Sequence, residues 1–482
     1  MFLFNFLFLG IFTALLFPPF FIFPLGFVIF PLFWKNLLFL NKQNSIKLFF
    51  CSGFLYGLGL LTIMLFWIQN PFFIYEETSA LFFLSYLLII LLSLIFGLFF
   101  ILFKFVRNLY YQIYSIPLIL ILIEIFISNF WHGFPWVSFV LTISNNPFGS
   151  ILVYLFGPHL SGFLLILFFL LPQIIFIKHK LKNVIIGLYS IILVIIVFLY
   201  AYQNLYKSDD FKEISIDIFQ MNFSNPTHEY SSNESKYNEI INLIKDSNAE
   251  LIIFGENNFP YLVNDMKKIE INQFLNDNQT VIIGGTRKEN NKFYNSLFSI
   301  QKNSTTYFDK KVLVPFGEFV PFRNYIGFMD FVSGSIDFSN GTNERIIKTK
   351  NEISFIPIIC YEIIFFWKLI NKENNYSNLL INITNDFWFG DYIGPYQHFY
   401  LSKLRAAEFN KNLIRVSNNG ISSIIDNNGN ILISSDLNKK DKLNYRLLIK
   451  DEKNLIILHK ILGYILTIFC FISLFVLKLK DE

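Results

Sequence analysis

The sequence predicts a multi-span α-helical membrane protein of about eight helices with an inserted α/β domain, and three observations support this fold class. The chain of 482 residues is 54% hydrophobic and 19% aromatic, and its mean hydropathy is +0.48. Ordinary soluble domains do not have this composition. The apolar residues lie before about residue 203 and again at 457–477, whereas the region between them is polar and normally patterned.

Eight apolar segments are each close to the roughly 20 residues that a helix needs to cross a bilayer. These predicted spans are 3–18, 19–34, 48–68, 80–103, 114–130, 160–177, 184–203 and 457–477. The N-terminus lacks a basic segment and a small-residue cleavage site, so the first run is predicted to be a retained span. The predicted organisation is a bundle at 1–203, a polar domain at 204–456, and a last span with a short tail at 457–482.

The connecting loops alternate in charge along the chain. Basic residues lie between spans two and three, four and five, and six and seven, and after span eight, at Lys35, Lys42, Lys47, Lys104, Arg107, Lys178, Lys180, Lys182, Lys478 and Lys480. The other loops carry Glu76 and Glu77 or almost no charge. Because positive loops stay in the cytoplasm, both termini are predicted to be cytoplasmic and the polar domain periplasmic, in a bacterial inner membrane. A cytoplasmic domain would require an error of one span.

The cysteines and the net charge restrict what the polar domain can do. Cys51 and Cys470 lie in apolar segments, so Cys360 is the single cysteine between 204 and 456. A disulfide within the domain is excluded, and a zinc site would need histidine or carboxylate ligands. The Cys360 thiol is therefore either buried and inert or a nucleophile. The net charge of +4 and the lack of a basic stripe indicate no nucleic-acid partner.

Short apolar runs alternate with helical segments in the polar domain, which predicts an α/β fold. The predicted strands are 214–220, 251–254, 281–284, 294–300, 353–359, 379–383 and 413–416. Helices are predicted at 235–247, where four apolar side chains share one face, and at 395–411, with a proline at its start. Asn-Asn-Gly at 427–429 suits a hairpin turn.

Polar side chains follow three of these strands, where ligand sites of α/β sheets form. Glu256 and Cys360 each follow one strand, and the segment 384–390 follows the third. A fourth segment, 309–321, places lysines and a carboxylate in an apolar loop fixed by prolines. Thiol chemistry needs a base that removes the proton and a positive group at the oxyanion. Glu256, Lys310 and Cys360 can supply these roles. Spacing alone does not distinguish them from solvated charges and a small core cysteine.

The segments around these residues resemble the nitrilase superfamily, whose catalytic set is Glu, Lys and Cys in that order. They resemble more closely its integral-membrane branch, the apolipoprotein N-acyltransferases. The matching motifs are 310–321 (KKVLVPFGEFVP), 360–362 (CYE), 385–391, 394–398, 405–409 and 418–420, and, in the apolar part, 133–136. The resemblance implies an α-β-β-α sandwich for 204–456. It also implies acyl transfer from a phospholipid, with phosphatidylethanolamine as the expected donor, to the N-terminal amine of a diacylglyceryl-cysteine apolipoprotein.

The resemblance assigns a role to each matching residue. It makes Glu256 the general base, Lys310 the oxyanion stabiliser and Cys360 the nucleophile, which forms a thioester in a ping-pong reaction. No metal or nucleotide cofactor is expected, because the donor ester already carries the activated acyl group. The supporting residues are predicted to be Glu318, Tyr361 and Glu362, and the substrate contacts to be Trp388, Phe389 and Phe319.

Several positions depart from the family pattern. Gly255 and Asn257 stand where the family has proline and serine or threonine, and Val312 stands where it has histidine. A Lys-Trp pair is replaced by His228 and Glu229. The predicted catalytic residues Glu256, Lys310 and Cys360 are unaffected, but the residues near 228–230, where the family contacts substrate, differ from the family pattern.

Other interpretations apply to individual residues. Lys310 is favoured over Lys311 by its register with the motif that follows. Glu318 and Glu362 can instead form structural ion pairs, with Lys310 as one partner. His398 is interpreted as a helix residue with a satisfied hydrogen bond and not as a catalyst.

Two further functions compete with acyl transfer. A membrane-anchored amidase acting on a small amide or nitrile would need one span, not eight. A transporter with a periplasmic binding domain predicts charged or broken helices in paired repeats, whereas the apolar segments contain few charges and no obvious repeat. Glu124, inside the fifth predicted span, is an exception to which no role is assigned, because intramembrane carboxylates are costly.

Overall fold

The structure is a computed structural model that describes residues 2–74, 76–106, 109–176, 190, 198, 212–223, 232–264, 269–323, 336–350 and 353–449. The chain divides into two compact units. The first consists of Met1–Gln69, Phe83–Lys207 and Ile457–Glu482, and the second of Asn70–Phe82 and Ser208–Ile456. The predicted spans 184–203 and 457–477 lie outside the described residues, apart from two isolated positions. The predicted domain limits at 204 and 456 also lie outside them and stay predictions.

The first unit is helical over its described residues. Its helices are α1 (Phe2–Ala14), α2 (Gly26–Gln43), α3 (Ile46–Met64), α5 (Leu84–Phe100), α6 (Leu109–Asn129), α7 (Pro147–Phe169) and α8 (Leu171–Phe176). In this part of the chain, five helical segments are long and apolar enough to cross a membrane: Phe23–Gln43, Ile46–Met64, Leu84–Phe105, Tyr111–Asn129 and Pro147–Phe169. The helical membrane part is thereby confirmed, and the exact number of spans stays a prediction.

The sixth predicted span begins earlier than the sequence pattern indicated. Helix α7 starts at Pro147, with the Asn146 side chain accepting a hydrogen bond from the Phe148 N–H, and not at residue 160. A kink interrupts it at Gly157, whose φ is 69°, and Pro158 follows. Because glycine and proline break the helical pattern, the prediction mistook the end of the kink for the start of the helix.

Glu124 of α6 is buried in the first unit, and its carboxylate has hydrogen-bond partners there. Its carboxylate accepts hydrogen bonds from the Ser138 hydroxyl (2.8 Å) and the Phe139 N–H (2.9 Å). His159 Nδ1 lies 2.7 Å from Glu124 Oε1, just beyond the kink of α7. These polar partners offset the cost of a carboxylate among apolar helices.

The second unit contains two six-stranded sheets over its described residues. The strands are β1 (Lys212–Gln220), β2 (Leu251–Phe254), β3 (Thr280–Glu289), β4 (Lys292–Gln301), β5 (Ser304–Asp309), β6 (Ile347–Lys348), β7 (Ser354–Ile359), β8 (Leu379–Thr384), β9 (Asn412–Ser417), β10 (Ser423–Ile425), β11 (Ile431–Ser434) and β12 (Asp441–Ile449). The sheet orders are β12-β1-β2-β3-β4-β5 and β11-β10-β9-β8-β7-β6. The trios β1-β2-β3 and β7-β8-β9 are parallel, and the outer strands pair antiparallel.

Helices cover the outer faces of the two sheets. The α-helices found among the described residues of this unit are α4 (Glu76–Ser79), α9 (Asn233–Lys245), α10 (Phe366–Leu369) and α11 (Ile393–Phe409). Ile240, Ile241 and Ile244 of α9 pack into one buried cluster with side chains of β2, β3 and β4. Helix α11 packs on β9, and the sheets contact each other between β1 or β2 and β9 and between β4 and β7. The predicted α-β-β-α sandwich is therefore confirmed.

All seven predicted strands are present, although β3 and β4 extend further than predicted because they form one long hairpin. The predicted helices correspond to α9 and α11, and Gly429 (φ 80°) lies in the turn between β10 and β11. The prediction missed β5, β6, β10, β11 and β12. In β12, buried and more exposed residues alternate, as is typical of a strand with one solvated face. This alternation is a weaker sequence signal for a strand than a continuous apolar run.

Candidate active site

The carboxyl ends of the two parallel trios of strands meet, and the site lies there. The Glu256 N–H donates to the Thr384 carbonyl at 3.4 Å, and the Asn418 N–H donates to the same carbonyl at 2.9 Å. Gly284 on β3 leaves room for the chain that follows β2, since a Cβ there would lie 2.6 Å from the Glu256 Cα. Glu256 after β2 and Cys360 after β7 are thus brought to one edge by the strand order.

Cys360 sits at a tight turn between β7 and the short 3-10 helix Cys360–Ile364. Its φ is +48°, a left-handed conformation that a side chain with a Cβ rarely adopts, and its exposed fraction is 6%. Such a conformation costs roughly 1–3 kcal/mol and persists only where the surrounding structure imposes it. The turn places the thiol near Glu256, whose negative charge raises the pKa of the thiol.

Lys310 lies in a buried cluster with two carboxylates. Its Nζ is 2.9 Å from Glu318 Oε1 and 3.6 Å from Glu256 Oε1. Asn295 on β4 donates from Nδ2 to both carboxylates, at 2.7 Å to Glu256 and 2.8 Å to Glu318. The second Glu256 oxygen accepts the Asn385 N–H at 2.8 Å. One cation and one amide thus hold two carboxylates in a fixed geometry around the thiol.

The electrostatics of the cluster follow from burial and from these pairings. Burial raises the pKa of Glu256, Lys310 opposes this, and Glu318 adds to it. Burial by itself would lower the pKa of Lys310, but Glu318 and Glu256 raise it overall, so the ammonium stays charged. Burial and Glu256 raise the pKa of the Cys360 thiol, against the effect of Lys310. The resting thiol is therefore protonated and needs a base to become a nucleophile.

This arrangement can perform acyl chemistry at a thiol. A carboxylate near the thiol can take its proton, and a buried ammonium can stabilise negative charge that develops beside it. The structure brings Glu256, Lys310 and Cys360 together, as the sequence predicts. Their individual roles stay predictions.

Glu362 lies in a different ion pair from the one that the sequence analysis considered. It is fully buried and binds Arg345 through both oxygens, at 2.6 and 2.9 Å. It also accepts the N–H groups of Ile359, Lys311 and Val312. Burial would raise the pKa of Glu362, but Arg345 lowers it overall. Glu362 therefore ties the end of β7 to the loop after Lys310, whereas Glu318 is the partner of Lys310.

A second buried ionic cluster contains Asp386, His398 and Arg415. Arg415 Nη2 lies 2.6 Å from Asp386 Oδ2, and His398 Nδ1 lies 2.9 Å from Asp386 Oδ1. The Thr384 hydroxyl donates to Asp386 Oδ1 at 3.0 Å. Burial would raise the pKa of Asp386, but Arg415 and His398 lower it to about 2. Burial and Arg415 lower the pKa of His398, so its imidazole is neutral at neutral pH.

The aromatic residues predicted to contact substrate differ in exposure. Trp388 is 41% exposed, Phe319 is partly buried, and Phe389 is 7% exposed with its ring against His398. Tyr361 is buried and packs edge-on against Phe365. Burial raises the pKa of the Tyr361 hydroxyl.

The loop that carries Trp388 is held by a residue from the Asn70–Phe82 segment. Asn70 Nδ2 donates to the Phe389 carbonyl at 2.9 Å. A Cβ on Gly390, whose φ is 67°, would come within 2.1 Å of the Asn70 side chain. Asn70 therefore fixes this loop and restricts residue 390 to glycine.

Two of the departures from the family pattern have a local physical reason. A Cβ at Gly255 would lie 2.8 Å from the Asn418 nitrogen, so this chain has no room there for a larger residue. Asn257 has φ 54°, which asparagine tolerates better than most residues. Val312 contributes its N–H to Glu362. The departure at 228–230 lies outside the described residues.

Sequence reasoning missed the partners of the predicted residues, chiefly Asn295, Arg345 and Arg415. Asn295 lies in a predicted strand. An amide side chain in a buried strand was the one sign in the sequence that this residue could belong to the site. Arg345 lies before the short strand β6, in a stretch without any predicted element. Among the described residues, no group of three or more His, Cys, Asp or Glu side chains is suited to hold a metal ion.

The raised pKa of Glu256 predicts how the reactivity of Cys360 depends on pH. Below that pKa, Glu256 is protonated and cannot accept the thiol proton. We expect the rate of Cys360 alkylation by iodoacetamide to fall with decreasing pH, starting above the ordinary glutamate pKa of 4.5. The rate is measured by mass spectrometry of the Cys360 peptide. Glu256→Gln should remove this acid limb, and an unchanged profile in that variant would contradict the assignment of the base.

Two family models match this chain. Residues 218–450 match the model described as carbon-nitrogen hydrolase, and residues 9–171 match the model described as the apolipoprotein N-acyltransferase N-terminal domain. The polar domain and the apolar region before it are therefore each similar to a known family.

Curated relatives agree with the family models. An apolipoprotein N-acyltransferase of Rickettsia typhi is 37% identical over 180 residues, and the match spans 36% of this chain and 36% of the relative's own length. One of Rickettsia bellii is 29% identical over 351 residues, which cover 70% of this chain and 69% of the relative. A CN-hydrolase superfamily protein from Xanthomonas campestris has a TM-score of 0.36 at 14% identity, and the match covers 49% of this chain and 91% of that protein's chain.

Proposed function

Because the chain belongs to the carbon-nitrogen hydrolase superfamily and carries the N-terminal domain of its apolipoprotein N-acyltransferase branch, we propose that it is an acyltransferase of lipoprotein maturation. It moves a fatty acyl chain from a membrane phospholipid to the N-terminal amine of a diacylglyceryl-cysteine apolipoprotein. Phosphatidylethanolamine is the proposed donor. The observation that carries this proposal is the buried pair of Lys310 and Glu256, 3.6 Å apart, whose two charges both act on the Cys360 thiol.

The first half-reaction acylates Cys360. Glu256 takes the thiol proton, and the sulfur attacks the ester carbonyl of the phospholipid. Lys310 stabilises the oxyanion, and Glu256 returns the proton to the departing alcohol oxygen of the lysophospholipid. An S–acyl bond forms and the ester C–O bond breaks, so the acyl group is held as a thioester.

The second half-reaction transfers the acyl group to the apolipoprotein. The neutral N-terminal amine attacks the thioester carbonyl, and Lys310 again faces the oxyanion. The amine proton passes through Glu256 to the sulfur as the C–S bond breaks, which regenerates the thiol. Because each half-reaction uses the same base and cation, one buried cluster serves both, and no cofactor is required.

The membrane part fits a reaction in which both substrates are lipids. Five apolar helices long enough to cross a bilayer exceed what anchoring a soluble hydrolase requires. We place the protein in the bacterial inner membrane with both termini in the cytoplasm and the 204–456 domain in the periplasm, on the charge pattern of the loops. The exposed Trp388 is positioned on the domain surface where it can contact an acyl chain.

Trapping the thioester tests this proposal. Full-length protein is incubated with phosphatidylethanolamine that carries a labelled acyl chain, and a hydroxylamine-sensitive adduct is sought on the Cys360 peptide. We expect the wild type to become labelled and Cys360→Ala to remain unlabelled, whereas Cys51→Ala, as the matched control, should label normally. Equal labelling of the wild type and Cys360→Ala would reject the thioester mechanism. Hydrolysis of a small amide without any adduct would favour an amidase instead.

A further inference from the structure

A buried ion pair holds Asp309, the residue that precedes Lys310. Arg287 of β3 donates from Nε to Asp309 Oδ1 at 3.1 Å and from Nη2 to Asp309 Oδ2 at 2.6 Å. The Ser296 hydroxyl of β4 donates to Asp309 Oδ1 at 2.5 Å. Arg287 and Asp309 are only 5% and 2% exposed. Both oxygens of the carboxylate are therefore bound in a two-point contact away from solvent.

Aromatic rings from the two neighbouring strands fix the guanidinium of Arg287. Its central carbon lies 4.5 Å from the ring centroid of Tyr294 on β4 and 4.2 Å from that of Tyr307 on β5. Its Nη1 donates to Glu289, an exposed residue, at 2.9 Å. A planar guanidinium can bind both carboxylate oxygens while it stacks on aromatic rings, which a lysine ammonium cannot do. Arg287 thus ties three adjacent strands together at Asp309.

The ion pair and the candidate active site lie on opposite faces of this sheet. Side chains of a strand alternate between its two faces. Arg287 is four positions from Ile283, so both lie on the face that packs under α9. Asp309 faces the same way because it binds Arg287, whereas Lys310, the next residue, places its ammonium at the two carboxylates of the site. The ion pair can therefore act on the site only through the backbone.

The backbone at Lys310 needs such an anchor because β5 is the last strand in the described order of its sheet. An edge strand pairs on one side and lacks the second row of hydrogen bonds of a central strand. The Lys310 N–H donates to the Asn295 carbonyl at 2.8 Å, and the Lys310 carbonyl accepts the Gly341 N–H at 2.8 Å. Asp309, one residue earlier, adds the side-chain restraint to β3 and β4.

We propose that Arg287 is a positioning residue for Lys310, because it anchors Asp309 and thereby keeps the Lys310 ammonium between Glu256 and Glu318. The inference rests on the proposed function, in which this ammonium faces the oxyanion, and it adds a residue that acts through Lys310. A misplacement of about 1 Å can reduce a rate roughly 100-fold. A rigid contact on the outer face of the sheet therefore contributes to the rate without touching substrate.

The test uses full-length protein and two acyl donors, phosphatidylethanolamine and p-nitrophenyl butyrate. The nitrophenyl ester acylates the Cys360 sulfur and releases p-nitrophenolate, whose absorbance gives the acylation rate. Arg287→Lys keeps the positive charge but loses the two-point contact with Asp309. Glu289→Gln is the matched control, because it changes the exposed partner of Arg287 and leaves Asp309 bound. Ile240→Ala is the stability control, since it opens a cavity in the buried cluster under α9.

We expect Arg287→Lys to lower the maximal acylation rate about tenfold with either donor, without a change in the half-saturating donor concentration. Glu289→Gln and Ile240→Ala should keep the wild-type rate below their unfolding temperatures. In a Lys310→Met background, Arg287→Lys should cause no further loss, because the residue through which it acts is gone. An additive loss in that background, or an equal loss in Ile240→Ala, would overturn the inference.

A second variant covers the case in which Arg287→Lys does not fold. Asp309→Asn then takes its place, since it weakens the same ion pair from the other side. Failure of both to fold would make the pair a general stability element and reject the inference. A wild type acylated by the nitrophenyl ester but not by phosphatidylethanolamine would reject the proposed function, while the ester rates still decide this inference. A wild type that reacts with neither donor would reject both.

Discussion

Replacing Lys310 by methionine is expected to lower the kcat of acyl transfer by about 100-fold to 1,000-fold, the effect of removing one oxyanion donor. The Lys310 Nζ is the cation placed between Glu256 and Glu318, at 3.6 and 2.9 Å. Without it, two buried carboxylates face each other with no positive partner in the cluster, and the pKa of Glu256 should rise further. Turnover is measured with labelled phospholipid and a diacylglyceryl-cysteine peptide, and folding is checked by thermal unfolding.

Lys311→Met is the matched control for this variant. The Lys311 contact to Glu362 comes from its backbone N–H, which the substitution leaves in place. Its side chain is only partly buried, and burial together with Arg345 lowers its pKa. We expect near wild-type turnover. Retained turnover in Lys310→Met together with a loss in Lys311→Met would move the oxyanion role to Lys311.

Replacing Glu362 by glutamine is expected to destabilise the protein by about 3–5 kcal/mol, the cost of leaving one partner of a buried ion pair uncompensated. Glu362 and Arg345 are both almost completely buried, and Glu362 also accepts three backbone N–H groups. The free energy of unfolding is measured by denaturant titration in detergent, monitored by the signal of the polar domain. Asp337→Asn, which breaks the partly exposed Arg323–Asp337 pair, should cost at most about 1 kcal/mol.

The pH dependence of stability gives a second measure of the same pair. The pKa of Glu362 is lowered in the folded protein, so the pair adds stability above the ordinary glutamate pKa of 4.5 and loses it as pH falls through the lowered pKa. Glu362→Gln should remove this component. A variant that keeps full stability at every pH but loses turnover would instead make Glu362 part of the catalytic machinery.

The sequence was sufficient to predict where the reactive residues lie but not what holds them. Glu256 and Cys360 follow apolar runs, and such runs end at the ligand-binding edge of a parallel sheet, so these positions were predictable. Arg345 and Arg415 were not, because their partners are set by the packing of distant strands. Glu362 is an example. Its charge suggested an ion pair with Lys310, but in the folded chain Glu362 pairs with Arg345, and Lys310 pairs with Glu318. A side-chain partner depends on three-dimensional neighbours that a linear pattern does not encode.

The same limit applies to secondary structure. Strands buried on both faces, such as β8, read as continuous apolar runs and were predicted. Strand β5 is rich in hydroxyl residues, and only its end is buried, so it lacked that signal. The predicted start of the sixth span was wrong because Gly157 and Pro158 interrupt the helical periodicity inside α7.

The bond between Asn70 and Phe389 has a consequence for how the protein is made. Its two residues are 319 positions apart, so the ribosome completes most of the chain before this piece of the unit can be assembled. Contacts that join distant parts of a chain form slowly. A fragment beginning at residue 204 would also lack Asn70–Phe82, part of its own compact unit. We expect such an excised fragment to fold less completely than the same region within the full chain, and co-expression of the missing peptide would be the way to restore it.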